Sequence, residues 1–167
     1  VVSVEPTDVA LETTRCGTFR LASDTPLEQP EHFGGGDWFA GAQMPAGRYV
    51  GTPRGLECYW QRSSGFSGSS QDIRANAFAN RAEQIVIDVA ADDAGVSIDG
   101  SCGTVLPASE VALSMLTEIR DGQWIVGSQI RPGRYTSAGP SNDTCVFRRL
   151  SSFDGTPESI LEVDGSE

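Results

Sequence analysis

The sequence contains no lysine, a single histidine and no long apolar run. All 12 basic residues are therefore arginine, and 23 acidic residues give the chain a net charge of −11. This acidic balance argues against nucleic acid and anionic membrane surfaces as partners, because both are negatively charged. No apolar stretch approaches the ~20 residues that a membrane-spanning helix requires, so we expect no membrane span.

Closely spaced cysteine pairs of the C-x-x-C type are also missing. The four cysteines are Cys16, Cys58, Cys102 and Cys145. Zinc sites usually take ligands from such pairs, so metal binding is the weaker interpretation. Two disulfides, and with them an oxidising compartment, are the stronger one. The chain begins at Val1 with no charged start before an apolar stretch, which fits a mature exported chain and equally an excised fragment.

An internal repeat dominates the sequence. The segment WFAGAQMPAGRY, which begins at Trp38, recurs as WIVGSQIRPGRY from Trp124, an offset of 86 residues. A one-residue insertion then shifts the offset to 87, at which CYWQRSSGF from Cys58 matches CVFRRLSSF from Cys145. So many identities at a nearly constant offset indicate two copies of one unit.

The second copy is split between the two ends of the chain. The triplet C-G-T that closes the first copy at 102–104 reappears at 16–18, and the valine-rich stretch 86–89 has its counterpart at 1–4. The predicted divisions are the back half of the split repeat (1–18), a connector (19–37), the complete repeat (38–104), a second connector (105–123) and the front half of the split repeat (124–167).

Short runs of aromatic and β-branched residues, bounded by Gly, Pro, Ser and Asp, predict an all-β fold. The predicted strands of the complete repeat are 38–42, 48–52, 57–62, 84–89 and 95–98. Strands of this length predict two small sandwich-like or barrel-like units, the second assembled from the two chain ends. The segment Arg131–Arg134 predicts a type II turn, because Pro132 presets φ at its second position and Gly133 takes the positive φ at its third.

Units this small have marginal cores and gain from a disulfide. Cys58 is expected to pair with Cys102 inside the complete repeat, closing a loop worth ~3–4 kcal/mol in the chain-entropy model. The equivalence of the two copies predicts a second pair, Cys145 with Cys16. That bond would form either within one chain or between neighbouring chains.

The pattern W-x-x-G-x-x-I/M-x-x-G-x-Y, followed by C-x-W/F-x-R and a closing C-G-T, resembles a domain of exported proteins and lipoproteins of GC-rich, Gram-positive bacteria. The resemblance covers residues 38–104 and, in two pieces, the split repeat. It implies a small β domain with one disulfide, located outside the cell or at its surface, and it implies no activity. Opening with half a domain departs from the usual form of the family.

The residues that most often carry chemistry lack suitable partners in this sequence. His32 precedes a flexible run of glycines, and nothing nearby would orient it for catalysis, so we expect a solvated loop. The acidic cluster of Asp92, Asp93 and Asp99 lacks the spacing of a calcium loop and is also expected to be solvated, with a bound cation as the minor alternative. We therefore expect no catalytic, metal or cofactor site and no enzymatic activity.

Aromatic residues and arginines recur at equivalent positions of the two copies. Core packing is the expected role of the aromatics, and a sugar-binding platform is the alternative. The arginines are expected to pair with carboxylates, and a recognition surface is the alternative. The matched pairs are Trp38 and Trp124, Tyr49 and Tyr135, Trp60 and Phe147, Phe66 and Phe153, Arg48 and Arg134, and Arg62 and Arg149.

A front half without its back half leaves strand edges and apolar faces that must be covered. Either the two ends of one chain meet, or the front half of one molecule takes the back half of the next. The connectors have equal spacing, 16 to 38 and 102 to 124, and should impose the same rigid-body step. This step is the movement that carries one repeat onto the next. Repeating it builds an open filament unless the step is a two-fold rotation, which returns to its starting point.

The leading hypothesis is a structural subunit of an extracellular filament or surface assembly. Its partner would be a second copy of the chain, joined head to tail by half-domain complementation and locked by the Cys145–Cys16 bond. The alternative is a monomeric, secreted, two-domain binding module for an envelope carbohydrate or protein.

Overall fold

The structure is a computed structural model that describes residues 1–15, 18–24, 27–137 and 145–166. The predicted all-β fold is confirmed, because this part of the chain contains nine strands in three sheets and no α-helix. None of its helical segments, all short 3-10 turns, is long and apolar enough to cross a membrane. The strands are β1 (Gly36–Phe39), β2 (Gly47–Gly51), β3 (Cys58–Ser63), β4 (Ile73–Ala79), β5 (Ile85–Val89), β6 (Gly95–Ile98), β7 (Val105–Pro107), β8 (Cys145–Leu150) and β9 (Ile160–Ser166).

The first seven strands form one folded unit, called the middle unit below. Its two sheets have the strand orders β1-β6-β3-β4 and β5-β2-β7, and every pairing is antiparallel. Side chains from both sheets, including Tyr49 and Trp60, form a single core. A disulfide joins Cys58 to Cys102 within this core, and both cysteines are fully buried. The strands reach a few residues beyond each end of the predicted range 38–104.

All five predicted strands overlap observed ones, whereas β4 and β7 were not predicted. Alanine occupies alternate positions of β4, and alanine is a weak strand former. These small side chains make room for a large neighbour, since Ala77 lies directly opposite Trp60 in the sheet. Packing against the indole therefore decides the conformation of a segment whose own preference is weak.

Strands β8 and β9 form a two-stranded hairpin that reproduces β3 and β4 at the sequence offset of 87. Both hairpins shift register directly after equivalent arginines, at Arg62 in the first and Arg149 in the second. The loop glycines Gly68 and Gly155 have φ angles of 78° and 76°. The front halves of the two copies thus share a backbone conformation as well as a sequence pattern.

The remainder of the second copy does not build the sheets of the middle unit. Residues 133–137, the counterpart of β2, form no strand, and the predicted turn at Arg131–Arg134 is wrong because Gly133 does not have a positive φ. In the middle unit β2 lies between β5 and β7. The counterparts of those two strands, residues 1–4 and 19–21, are not in strands here, so no ladder holds the segment extended.

Candidate assembly interface

Strands β8 and β9 expose the face that is buried in the middle unit. Phe147 is 49% exposed, whereas its equivalent Trp60 is 1% exposed. Tyr135 is likewise half exposed, and its equivalent Tyr49 is buried. The predicted core packing therefore holds for Trp60 and Tyr49 of the first copy. It does not hold for Phe147 and Tyr135, over which no second sheet packs among the described residues.

Residues 1–15 do not supply that layer within this chain. They form no strand, and β8 pairs with β9 alone in the described part of the chain. The large apolar side chains of this segment, among them Val4, Val9 and Leu11, are exposed. The strand pairing that would complete the split repeat within one chain is thus absent from the described residues, and completion by a neighbouring chain stays a prediction.

The recurrent arginines of the first copy both bind carboxylates. Arg48 donates two hydrogen bonds to Asp88, of 2.7 and 2.8 Å. Arg62 donates to both carboxylate oxygens of Asp93, at 2.7 and 3.0 Å, and the two side chains are only 4% and 0% exposed. The expectation that Asp93 is solvated is wrong, because Arg62 and the N–H of Ala90 satisfy its carboxylate inside the unit.

The same arginine of the second copy has a different environment. Arg149 is 65% exposed and donates to Glu162 across the hairpin at 2.7 Å. Exposed pairs of this kind contribute about 0–1 kcal/mol, because water screens them. Arg149 thus lacks the buried carboxylate partner that Arg62 has.

The second copy contacts the middle unit through the loop that joins β8 to β9. Asp88 and Phe153 exchange two hydrogen bonds: the Asp88 N–H donates to the Phe153 carbonyl at 3.0 Å, and the Phe153 N–H donates to Asp88 Oδ2 at 2.9 Å. The Arg48 guanidinium lies 4.8 Å from the centroid of the Phe153 ring. Arg62 Nη1 donates to the Asp154 carbonyl at 2.6 Å. Arg48 with Asp88, and Arg62 with Asp93, therefore also hold this loop.

An apolar cluster lies beneath the same contact. Val50 of β2 and Val86 of β5 pack with Ile125 and the partly buried Phe153 of the second copy. Because successive strand residues point to opposite faces, these valines lie on the side of the sheet that points away from the middle unit's core. The second copy is thus seated on an outer sheet face by apolar packing as well as by polar bonds.

The carboxyl group of Asp88 is held in its ionised form at this contact. Burial on its own would raise the pKa of Asp88, but hydrogen bonds from Arg48 and from the Phe153 N–H outweigh burial and lower the pKa. The hydrogen bond to Asp88 raises the pKa of Arg48 in turn. The pair is therefore charged at neutral pH.

Of the two remaining cysteines, the structure describes Cys145 alone. Cys145 begins β8, is partly buried and has a free thiol. Cys16 lies outside the described residues. The Cys145–Cys16 bond therefore stays a prediction.

The other candidate residues do not converge on a site. His32, Asp92 and Asp99 are exposed, and Asp92 pairs with Arg74. Among the described residues, no group of three or more His, Cys, Asp or Glu side chains is placed to hold a metal ion. A surface groove of about 530 Å³ is lined in part by Glu110 and by Arg48, which already binds Asp88.

Comparison with known protein families finds a match to the C-terminal part of the chain, which includes the front half of the second copy. Residues 117–167 match the model of the Rv1352-like extracellular domain, a mycobacterial family. No curated protein and no solved structure matches the chain. Together with the disulfide, the family match is consistent with the small exported domain that the sequence pattern resembles. The chain is similar over this range to an extracellular domain, and the predicted location outside the cell is confirmed.

Proposed function

We propose that this protein is a structural subunit of an extracellular filament or surface assembly. In this proposal the front half of each chain is completed by the back half of the next. The observation that carries the proposal is the exposed apolar surface of the front half. Phe147 of β8 and Tyr135, which lies in no strand, are half exposed, while their equivalents in the middle unit are buried.

Burial of apolar surface would drive the association. The back half also exposes apolar side chains, including Val4, Val9 and Leu11. Burying one exposed valine, leucine or phenylalanine stabilises by about 1.5–3 kcal/mol. Burying five or more is thus comparable with the cost of bringing two chains together, which is about 4–15 kcal/mol.

Backbone hydrogen bonds would add to the apolar contribution. A segment that joins a sheet edge gains main-chain hydrogen bonds, and its alternate side chains fill pockets that set the register. Strand β8 has a free edge, because β9 is its single partner among the described residues. In the middle unit the equivalent strand, β3, has β6 on that side.

A disulfide would then lock each joint. The Cys145 thiol at the start of β8 would be oxidised together with Cys16 of the next chain, and both electrons and both protons would pass to an extracellular thiol oxidant such as oxygen. In the middle unit the equivalent pair, Cys58 and Cys102, is already joined.

Sedimentation velocity and gel electrophoresis test this proposal. Chains purified under oxidising conditions should sediment as a distribution of polymers and give a ladder on a non-reducing gel that collapses to about 18 kDa with reductant. A single monomeric species at all concentrations, with one band on both gels, would remove the proposal. Cys16→Ser and Cys145→Ser are matched variants: each should lose the ladder and form shorter polymers.

The second candidate is a monomeric binding module that uses the groove beside Arg48 and Glu110. It predicts a stable monomer in the same sedimentation experiment. Absence of enzymatic activity stays a prediction for both candidates.

A further inference from the structure

Residues 1–8 are bound to the middle unit, although they complete no sheet. The N-terminal ammonium group of Val1 donates to Asp37 Oδ2 at 2.6 Å, and the Ser3 N–H donates to the Phe66 carbonyl at 2.8 Å. Phe66 lies in the loop between β3 and β4. The segment is therefore held by that loop and by the strand β1 beside it.

Two contacts at equivalent positions join the middle unit to the second connector and the second copy. The Val86 N–H donates to Gln123 Oε1 at 2.6 Å, and the Asp88 N–H donates to the Phe153 carbonyl at 3.0 Å. Val86 and Asp88 are 85 residues after Val1 and Ser3, while Gln123 and Phe153 are 86 and 87 residues after their counterparts Asp37 and Phe66. These are the offsets of the sequence repeat, to within one residue.

A turn that follows these contacts is also repeated. The Asp8 N–H donates to the Glu5 carbonyl at 2.9 Å, and the Glu5 N–H donates to the Asp8 carboxylate at 2.8 Å. Asp93 and Ala90 make the same two hydrogen bonds, at 3.2 and 2.8 Å, again 85 residues later. Residues 1–8 thus lie on the middle unit as residues 86–93 lie on the second copy.

We infer that residues 1–11, together with the Phe66 loop, form the docking site for the front half of a neighbouring chain, which is a second molecule of this protein. Arg149 of the neighbouring chain binds Asp8. The inference rests on the proposed function and specifies its joint. Asp8 is already held in the turn that presents Asp93 to Arg62 in the middle unit. Arg149 is the repeat equivalent of Arg62, and both Asp8 and Arg149 are exposed.

The remaining contacts of the joint follow from the interface between the middle unit and the second copy. There, Arg48 covers the Phe153 ring, and Gly155 lies against Trp60. At the joint, Arg134 of the neighbouring chain covers Phe66, and Phe147 of the neighbouring chain lies against Gly68. Each of these residues is the repeat equivalent of one in the observed interface.

Repetition of one step also decides between a closed and an open assembly. The step is the rigid-body movement that carries one repeat onto the next. If it were a two-fold rotation, the front half 124–167 of this chain would lie where residues 1–8 are bound, and residues 1–8 of the same chain would complete it. The described residues do not have that arrangement, since β8 pairs with β9 alone and residues 1–15 form no strand. The joint therefore propagates as an open, head-to-tail array.

Charge reversal tests the joint, with sedimentation velocity on the full chain as the measurement. Asp8→Arg and Arg149→Asp should each raise the concentration needed for polymer formation by at least about 100-fold, because each places two like charges together at a buried contact. The double variant restores opposite charges and should polymerise within about tenfold of the wild type. An equimolar mixture of the two single variants should also polymerise.

The outcomes separate this inference from the proposed function. A wild-type chain that never polymerises overturns the proposed function. If the wild type polymerises and both single variants match it, the filament exists but the joint lies elsewhere, and the inference fails. Single variants that block assembly without rescue by the double variant or by the mixture also overturn the Asp8–Arg149 pair.

A matched pair of glycine variants gives a second readout with no change of charge. Gly41 and Gly68 have φ angles of 77° and 78°, and a Cβ at either position meets no atom within 4 Å in this structure. Gly41→Ala and Gly68→Ala should thus unfold at the same denaturant concentration. We expect Gly68→Ala alone to raise the concentration needed for assembly, by at least about tenfold. Equal assembly of the two variants overturns the inferred joint.

Discussion

The buried ion pair between Arg62 and Asp93 gives the largest single-residue effect that we expect on stability. Asp93→Ala would leave the Arg62 guanidinium unpaired at a position where it is 4% exposed. Removing one partner of a buried pair costs about 3–5 kcal/mol, since the remaining charge keeps its desolvation penalty. A domain of this size is stable by about 5–15 kcal/mol, so the variant would lose a large fraction of its stability.

Equilibrium unfolding in urea, followed by circular dichroism, measures this loss. Arg149→Ala is the matched control, because Arg149 is the repeat equivalent of Arg62 but is 65% exposed, and it should cost less than about 1 kcal/mol in the monomer. Replacing the whole pair, with Arg62→Met and Asp93→Leu together, should recover part of the loss by removing both buried charges. A cost below about 1 kcal/mol for Asp93→Ala would refute the assignment of a buried, mutually dependent pair.

Four further predictions concern the disulfide, the interface and the assembly. Replacing both Cys58 and Cys102 by serine should lower the free energy of unfolding by about 4 kcal/mol, because the bond spans 44 residues. An unfolding curve of the wild type that reductant leaves unchanged would contradict this. Because the pKa of Asp88 is lowered in the folded state, its stabilising contribution is present above the ordinary value of 3.8 and is lost as the pH falls through the lowered pKa. Docking of the second copy, measured by the Phe153 amide resonance, should weaken in that acid range. Asp88→Asn should make the docking less dependent on pH. Gly155→Ala should destabilise this docking more than Gly68→Ala destabilises the chain. A Cβ at Gly155 would lie 2.8 Å from the Trp60 ring, whereas a Cβ at Gly68 would have no atom within 4 Å. Equal losses of free energy in the two variants would contradict the contact. Added salt should promote assembly between chains of net charge −11 by screening their repulsion, and slower polymerisation from 0.01 to 0.15 M salt would contradict this.

Much of the fold follows from the sequence pattern, and the misses have identifiable causes. The repeat predicted the partner of Cys58 and the five strands whose β-branched and aromatic residues carry a clear signal. Strand β4 was missed because its alanines become strand residues only opposite Trp60. The predicted turn at Gly133 was wrong. Its equivalent in the first copy leads into β2, which has neighbouring strands, whereas residues 133–137 have no neighbouring strand among the described residues.

The candidate interface was predictable only in part. The offsets of the repeat showed that the two ends of the chain are halves of one unit, and that their apolar faces need a cover. Burial of Asp93 was not predictable, since Asp92 beside it is exposed and nothing in the local sequence separates them. The contacts of Phe66 and Phe153 with segments of neighbouring units were also beyond the pattern, because they depend on how one unit packs on the next.

The sequence by itself determined the composition of the unit: two copies of one pattern, with the strands, the cysteines and the paired arginines at matching positions. These properties are encoded locally or by identity at a constant offset, so no coordinates are needed to see them. Only the tertiary structure decided which copies of Trp60, Tyr49 and Arg62 are buried, because burial depends on what lies across the sheet. It also decided where residues 1–8 lie, since the ion pair between the Val1 ammonium group and Asp37 and the backbone hydrogen bond from Ser3 to Phe66 depend on how one unit packs on the next.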